Sequence, residues 1–154
     1  MARDVVRDAR NVEHMPAGCV FCDIVARRVA AFEVLRDDVA VAFLDKSPLF
    51  PGHTLVVPTR HVVTLADLDP EEIGPYFERV RAVAAVMPAA LNAGGTFVAN
   101  NNVVSQSVPH LHVHVVPRTR GDGLRGFFWP RRRYADGEAD AYAEQLRSAL
   151  SAAG

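Results

Sequence analysis

The run PHLHVHVVPR, residues 109–118, carries histidines at alternate positions: His110, His112 and His114. The chain has six histidines, so half of them fall between residues 110 and 114. On an extended strand alternate side chains share one face, about 6.5–7 Å apart. The three imidazoles then line one face, and Leu111, Val113 and Val115 line the other as core. Imidazole titrates near neutrality and serves as nucleophile, base or metal ligand. Two chemistries fit such a row. The histidines could together hold a catalytic metal. Alternatively, one could attack an electrophile such as phosphorus while its neighbours orient it and a protonated one meets the phosphate charge. A solvated strand face is the reading without chemistry.

The stretch before the row, NNNVVSQSV at 100–108, is rich in amides and hydroxyls. Neutral donors of this kind can surround a phosphate. Asn and Ser are also ordinary turn residues. Ser107 lies three positions before His110 and could reach the same site. Near the N-terminus, CVFC places Cys19 and Cys22 at a spacing used by zinc sites, redox sites and plain buried thiols alike. A tetrahedral zinc would need two further ligands. A thioredoxin-like redox motif would need a βαβ context, which the flanking sequence lacks.

The elements that must position these groups are short. VLRDDVAVAFLD (34–45) reads as two strands around a turn, and HTLVVP (53–58) as a strand stopped by Pro58. Between them KSPLFPG (46–52) is a loop. TRHVVTLADLD (59–69) reads as a short helix with an apolar side. Residues 69–87 carry strong helix signals: Asp69 as N-cap, Pro70 at the first position, Glu71 and Glu72 in the first turn. Ile73, Phe77, Val80 and Ala84 recur at helical spacing, and Pro75 predicts a kink or a late start. GGTFVANNN (94–102) is a strand entering a loop, the histidine run 110–118 a strand, and 136–154 a helix. Strands joined by short turns predict an α+β fold on an antiparallel sheet.

Composition narrows the class. The chain has 154 residues, 49% hydrophobic and 23% charged, which suits one domain with a real core. We expect a lead-in over residues 1–17 and a single domain over 18–154. The net charge of −1 supplies no global field toward nucleic acid or membrane. No apolar run approaches the roughly 18 residues of a membrane span. The N-terminus lacks a secretory h-region, and with two cysteines this predicts a cytoplasmic protein. Arg118, Arg120, Arg125, Arg131, Arg132 and Arg133 form a basic cluster. It reads as a solvated face or as attraction for an anionic substrate; a nucleic-acid partner is not expected.

HLHVHVV follows the pattern His-φ-His-φ-His-φ-φ, with φ apolar, and resembles the signature of the histidine triad (HIT) family of nucleotide hydrolases and transferases. QSVPHLHVHVVPR is similar to that family's motif region, FLDKSPLFPGHTLVVPTRHVVTLADL (43–68) to its middle segment, and CVFCDIVARRV (19–29) to the start of its bacterial members. The resemblance implies a HIT fold, an antiparallel sheet of about five strands with helices, dimerising with a second copy. It implies that His112 attacks the α-phosphorus of an adenosine-type nucleotide and forms a nucleotidyl-histidine. His114 would contact the α-phosphate and bridging oxygen, and Ser107 would bind phosphate and assist the leaving group. Asn101 and Gln106 would line the phosphate side, Asp45 would bind the ribose hydroxyls, and His53 would support the triad from behind. Cys19, Cys22, His61 and His110 match the zinc ligands of bacterial members, so a structural zinc is implied. The third histidine is intact, where related uridylyltransferases carry glutamine, so hydrolysis is implied over transfer. The leaving group, an amine or a second nucleotide, stays open. A metal-dependent hydrolase using the three strand histidines, or a nucleotide-binding module without catalysis, are the other classes. Trp129, in the region that lies near the partner subunit's site in family members, is a candidate specificity residue. The loop from Asn102 to Gln106 is shorter than the family's and lacks its glycines.

Overall fold

The computed structural model describes residues 16–124 and 130–153. His14, Arg125 and the FFW stretch with Trp129 lie outside them. The chain divides into two compact units, one ending at Asp122 and one starting at Gly123.

The first unit is a five-stranded antiparallel sheet with helices. In chain order it has α1 (Val20–Val25), β1 (Glu33–Arg36), β2 (Ala40–Leu44), β3 (Thr54–Pro58), a short 3-10 helix (Leu65–Asp67), α2 (Pro70–Leu91), β4 (Gly95–Ala99) and β5 (Val113–Arg118). The strand order is β1-β2-β3-β5-β4, so β5 lies between β3 and β4. The β1–β2 turn is held by Asp37, whose Oδ1 accepts from the Val39 and Ala40 amides at 2.9 Å each.

Alternation along the strands gives the sheet two covered faces. Ala40, Ala42, Val56, Val113 and Val115 pack with Tyr76, Val80, Val83 and Met87 of α2. Val41, Phe43, Leu55 and Val57 pack on the other side with Cys19, Phe21, Cys22 and Ile24 of the α1 region. Leu111, Val113 and Val115 all join the α2-side core, as the pattern predicts. The histidines are thereby turned toward α1.

Three elements differ from expectation. The region 59–69 forms only the 3-10 turn at Leu65–Asp67. Its backbone bonds outward: the Val62 carbonyl accepts from Leu111, and the Leu65 amide donates to the Asn102 side chain. The last strand begins at Val113 rather than at His110. The His110 amide donates to the Val108 carbonyl and the Leu111 amide to Val62, so neither enters the ladder. Third, α2 runs through Pro75 and Pro88 to Leu91, where Asn92 closes it in the left-handed region at φ 52°. Pro75 forfeits one amide bond, but the buried face of Tyr76, Val80, Val83 and Met87 holds the helix to the sheet.

The second unit contains α3 (Glu138–Ala153), with Tyr142, Leu146 and Leu150 exposed at four-residue spacing.

Tyr76 ties the two layers, since its hydroxyl donates to the Val56 carbonyl at 2.8 Å and the residue is 1% exposed. Tyr76→Phe should lower stability by about 1 kcal/mol, the usual net value of one hydrogen bond. Tyr76→Ala should cost about 3–5 kcal/mol through the cavity it leaves. Urea denaturation of both variants checks the order and the gap.

Candidate functional site

His112 is held by its own backbone. Its Nδ1 lies 2.7 Å from the carbonyl oxygen of His110. A carbonyl can only accept, so Nδ1 carries the proton. In the neutral ring the lone pair is then on Nε2. Phe21 of α1 meets this ring edge-on, with centroids 5.1 Å apart and planes at 78°. His112 is 2% exposed, so its rotamer is fixed by contact on nearly every side.

His114 follows with its ring centroid 5.0 Å from that of His112. Behind it stands His53, just ahead of β3. The Leu49 amide donates to His53 Nδ1 at 3.1 Å. The neutral His53 therefore carries its proton on Nε2, which donates to His114 Nδ1 at 2.9 Å. His114 is then the tautomer with a proton on Nε2. One imidazole of the pair offers a lone pair, the next an N–H. Burial, then the neighbouring His112 and His53, push His114 down to about 4. Burial also lowers His53, against a smaller opposing effect of Asp45. Burial thus favours the neutral form of His114 in the free protein, which donates as a neutral N–H.

Asp45 ends the stretch after β2. Its Oδ1 accepts from the Ser47 amide at 2.8 Å, and its Oδ2 lies 3.8 Å from His53 Nε2. Phe32 is hydrogen-bonded through its carbonyl to the Leu44 amide at 2.9 Å. Phe32 is 80% exposed and Leu44 38%, an apolar surface next to Asp45 that sequence patterning did not single out. Lone apolar residues in short strands carry no spacing signal of their own.

The polar stretch 100–108 forms a tight loop. Asn101 Nδ2 donates to the Ser105 carbonyl at 3.1 Å, using one of its two donors. Gln106 uses both ends of its amide on backbone: Nε2 donates to Val63 at 2.6 Å, and Oε1 accepts from the Val103 amide at 2.9 Å. These bonds run within the loop and to residue 63, not to the histidines. Ser107 is exposed, and Val108 beside it packs against the α1-side core.

His110 belongs to a different cluster. Its Nε2 donates to the Pro58 carbonyl at 3.0 Å, which leaves the lone pair on Nδ1. That atom lies 3.6 Å from Cys19 Sγ, 3.5 Å from Cys22 Sγ and 3.2 Å from His61 Nδ1. Cys22 Sγ and His61 Nδ1 are 3.2 Å apart. All four donor atoms lie within 4.8 Å of one another. Tetrahedral zinc, with bonds of about 2.3 Å to sulfur and 2.05 Å to nitrogen, separates its ligand atoms by about 3.3–3.8 Å. The cluster therefore fits a closed Cys₂His₂ centre, and the Pro58 carbonyl is the outer partner that fixes the His110 tautomer. CxxC produces it locally: Cys19 caps α1, and its sulfur accepts from the Cys22 amide at 3.5 Å. Burial pushes the Cys22 thiol up to about 12, with Cys19 adding to it, and burial lowers both His61 and His110, the latter to about 4.

The three histidines of the row thus do not converge on one ion. His110 faces the cysteines, His112 its own backbone, and His114 faces His53. Asp45, His53 and His114 also bring three donor atoms within 4.8 Å. There, however, both nitrogens of His53 are already hydrogen-bonded, to the Leu49 amide and to His114, in a directed hydrogen-bonded chain.

The basic cluster is not a uniform patch. Arg118 pairs with Asp122 at 2.6 and 3.0 Å, whereas Arg120, Arg132 and Arg133 are exposed. Among the described residues no helix is long and apolar enough to cross a membrane.

Comparison with known proteins matches residues 27–121 to the HIT domain. The chain belongs to the HIT family. "Protein hit" of Bacillus subtilis is 32% identical over 90% of this chain and 95% of its own. A Schizosaccharomyces pombe protein named bis(5′-nucleosyl)-tetraphosphatase [asymmetrical] is 38% identical over 56% of this chain and 49% of its own. Among solved structures, a Streptococcus mutans protein superposes with a TM-score of 0.81 at 30% identity, covering 89% of this chain and 88% of that one. A HIT protein from Mycobacterium smegmatis, described as zinc-bound, does so with 0.66 at 36% identity, covering 86% and 97%. The antiparallel α+β sheet is the HIT fold.

The buried neutral histidines make stability depend on pH. His114 takes up a proton near 6.5 when unfolded but only near 4 when folded. Below 6.5 the unfolded chain therefore binds more protons, and stability falls as pH drops toward 4. Urea midpoints measured from pH 7.5 to 4.5 should decline through that window, and less steeply in His114→Gln.

Proposed function

We propose that this HIT protein is a nucleotide hydrolase acting at the α-phosphorus of an adenosine-type nucleotide through a nucleotidyl-histidine at His112. The observation that carries the reading is the 2.7 Å bond from His112 Nδ1 to the His110 carbonyl. It leaves Nε2 as the nucleophilic atom, and the same carbonyl dipole meets the positive charge that develops on the ring when Nε2 bonds phosphorus. In the first step the Nε2–P bond forms and the bond from phosphorus to the leaving amine or phosphate breaks. His114 Nε2–H donates to the phosphoryl oxygen and the bridging atom, Ser107 assists, and the proton the leaving group takes up from this pair is restored by the one water gives up in the second step. Water then cleaves the Nε2–P bond and returns the ring to its starting tautomer. Asp45 accepts from the ribose hydroxyls, and exposed Phe32 and Leu44 beside it suit a flat apolar base. Asn101 and Gln106 belong to the loop on the phosphate side. The Schizosaccharomyces pombe relative's name favours a dinucleoside polyphosphate as one candidate substrate. Amine-bearing nucleoside phosphoramidates are the other.

Cys19, Cys22, His61 and His110 would hold a zinc whose role is structural, because the closed set leaves no position for substrate. Such a centre with two thiolates suits a reducing, cytoplasmic compartment. We further propose that the protein acts as a homodimer.

A panel of adenosine phosphoramidates and dinucleoside polyphosphates tests the reading. His112→Ala should lose about three orders of magnitude in kcat while nucleotide affinity stays within about tenfold. An adduct labelled from the α-phosphate should survive denaturation of the wild type and be missing from the variant. A variant retaining a tenth of the wild-type rate would remove His112 from this role.

Metal analysis of tag-free protein should give about one zinc per chain, from the single four-ligand set. Chelation should lower the melting temperature, as should Cys22→Ser without added chelator. Protein free of zinc, or bearing a Cys19–Cys22 disulfide, contradicts the assignment.

A further inference from the structure

Residues 62–65 are hydrogen-bonded to the chain that leads into the triad at three points. The Val62 carbonyl accepts from the Leu111 amide at 2.7 Å. The Val63 carbonyl accepts from Gln106 Nε2 at 2.6 Å, and the Leu65 amide donates to Asn102 Oδ1 at 2.9 Å. The segment is anchored beyond these bonds. His61 precedes it in the Cys/His cluster, and the Thr64–Asp67 capping box closes it. The loop it grips is left-handed at two non-glycine residues, Val103 at φ 67° and Ser105 at φ 61°. Val103 and Val104 are 72% and 79% exposed, so side-chain packing does not hold the loop in that shape. The amides do.

We propose that Asn102 and Gln106 are positioning residues that fasten the 100–107 loop to residues 62–65 and so set Ser107 and Asn101 for chemistry at His112. This inference rests on the hydrolase reading above, and it reassigns Gln106 from nucleotide contact to loop clamp. The two side chains do different work. Asn102 uses its oxygen alone, accepting from Leu65 and from Asn100 Nδ2 at 3.0 Å. Gln106 uses both ends, donating to Val63 and accepting from Val103. Asn102→Asp keeps every bond that Asn102 makes as acceptor. Gln106→Glu turns a carboxylate oxygen toward the Val63 carbonyl, two acceptors face to face.

The experiment measures kcat and KM for Asn102→Ala, Asn102→Asp, Gln106→Ala and Gln106→Glu on the best wild-type substrate. It also measures amide hydrogen exchange at Leu65 and Val103 in the ligand-free protein. Loose placement of reacting groups costs about tenfold to a hundredfold. We expect that loss in kcat for Asn102→Ala, Gln106→Ala and Gln106→Glu, with KM within about threefold. Asn102→Asp should stay within about threefold of wild type in both. Exchange should quicken at Leu65 in Asn102→Ala but not in Asn102→Asp, and at Val103 in Gln106→Ala. Unchanged kcat in both alanine variants overturns the proposal, as does Asn102→Asp proving as damaging as Asn102→Ala. A wild type that turns over no nucleotide instead overturns the hydrolase reading, and the exchange pattern still decides the clamp.

Discussion

The His110 ring is the joint on which the rest of the site depends. It is fully buried, and its two nitrogens face different parts of the fold. Nε2 donates to Pro58 at the end of β3, and Nδ1 faces the α1 cysteines and His61. Its carbonyl accepts from His112. One residue thus links a central strand, the N-terminal helix, the segment after β3 and the candidate nucleophile. A single unmade bond at this residue would leave a buried polar group unpaired, at roughly 1–3 kcal/mol. Loss of the bond at its carbonyl would also release the tautomer of His112.

Proton positions across the site follow from backbone groups whose roles cannot invert. Pro58 and His110 offer carbonyls, which only accept, and Leu49 offers an amide, which only donates. From these three fixed points His110, His112, His53 and, through His53, His114 each receive one tautomer while neutral, and burial keeps His53, His61, His110 and His114 toward the neutral side. The row therefore divides by function although it is uniform by residue type. On the proposed function, this division would let one short stretch serve a metal centre and a phosphoryl site side by side without mixing their ligands.

Much of this was legible in the chain. Alternation of His110, His112 and His114 against Leu111, Val113 and Val115 fixed which side of β5 is core, and it holds even where the strand ladder has ended. Asp69, Pro70 and the acidic first turn marked the start of α2 correctly. What failed was local periodicity read as helix at 59–69. The partners of Val62, Val63 and Leu65 lie between 37 and 49 residues further along, and no local pattern can announce them. For the same reason the hydrogen-bonded chain from Leu49 through His53 to His114 was visible as residue types but not as a direction of hydrogen bonding. The approach of His61 to Cys22 likewise depends on the fold, not on spacing.

The loop before the triad shows how such long-range bonds reshape a local preference. A side-chain-bearing residue in the left-handed region costs about 1–2 kcal/mol, and Val103 is β-branched, the least tolerant type. Two such residues put the cost of the loop at about 2–4 kcal/mol. Against this stand seven bonds: Leu65 to Asn102, Asn100 to Asn102, Val103 to Gln106, Gln106 to Val63, Asn101 to Ser105, Val104 to the Asn102 carbonyl, and Gln106 to the Val103 carbonyl. The loop is thus held in an unfavourable backbone shape by hydrogen bonds, those of its side-chain amides among them, and not by packing of Val103 or Val104. A glycine at either left-handed position would relieve the strain but would also let the loop relax when the amides let go. The valine and serine make the conformation conditional on the clamp, which in turn is anchored at His61 in the Cys/His cluster.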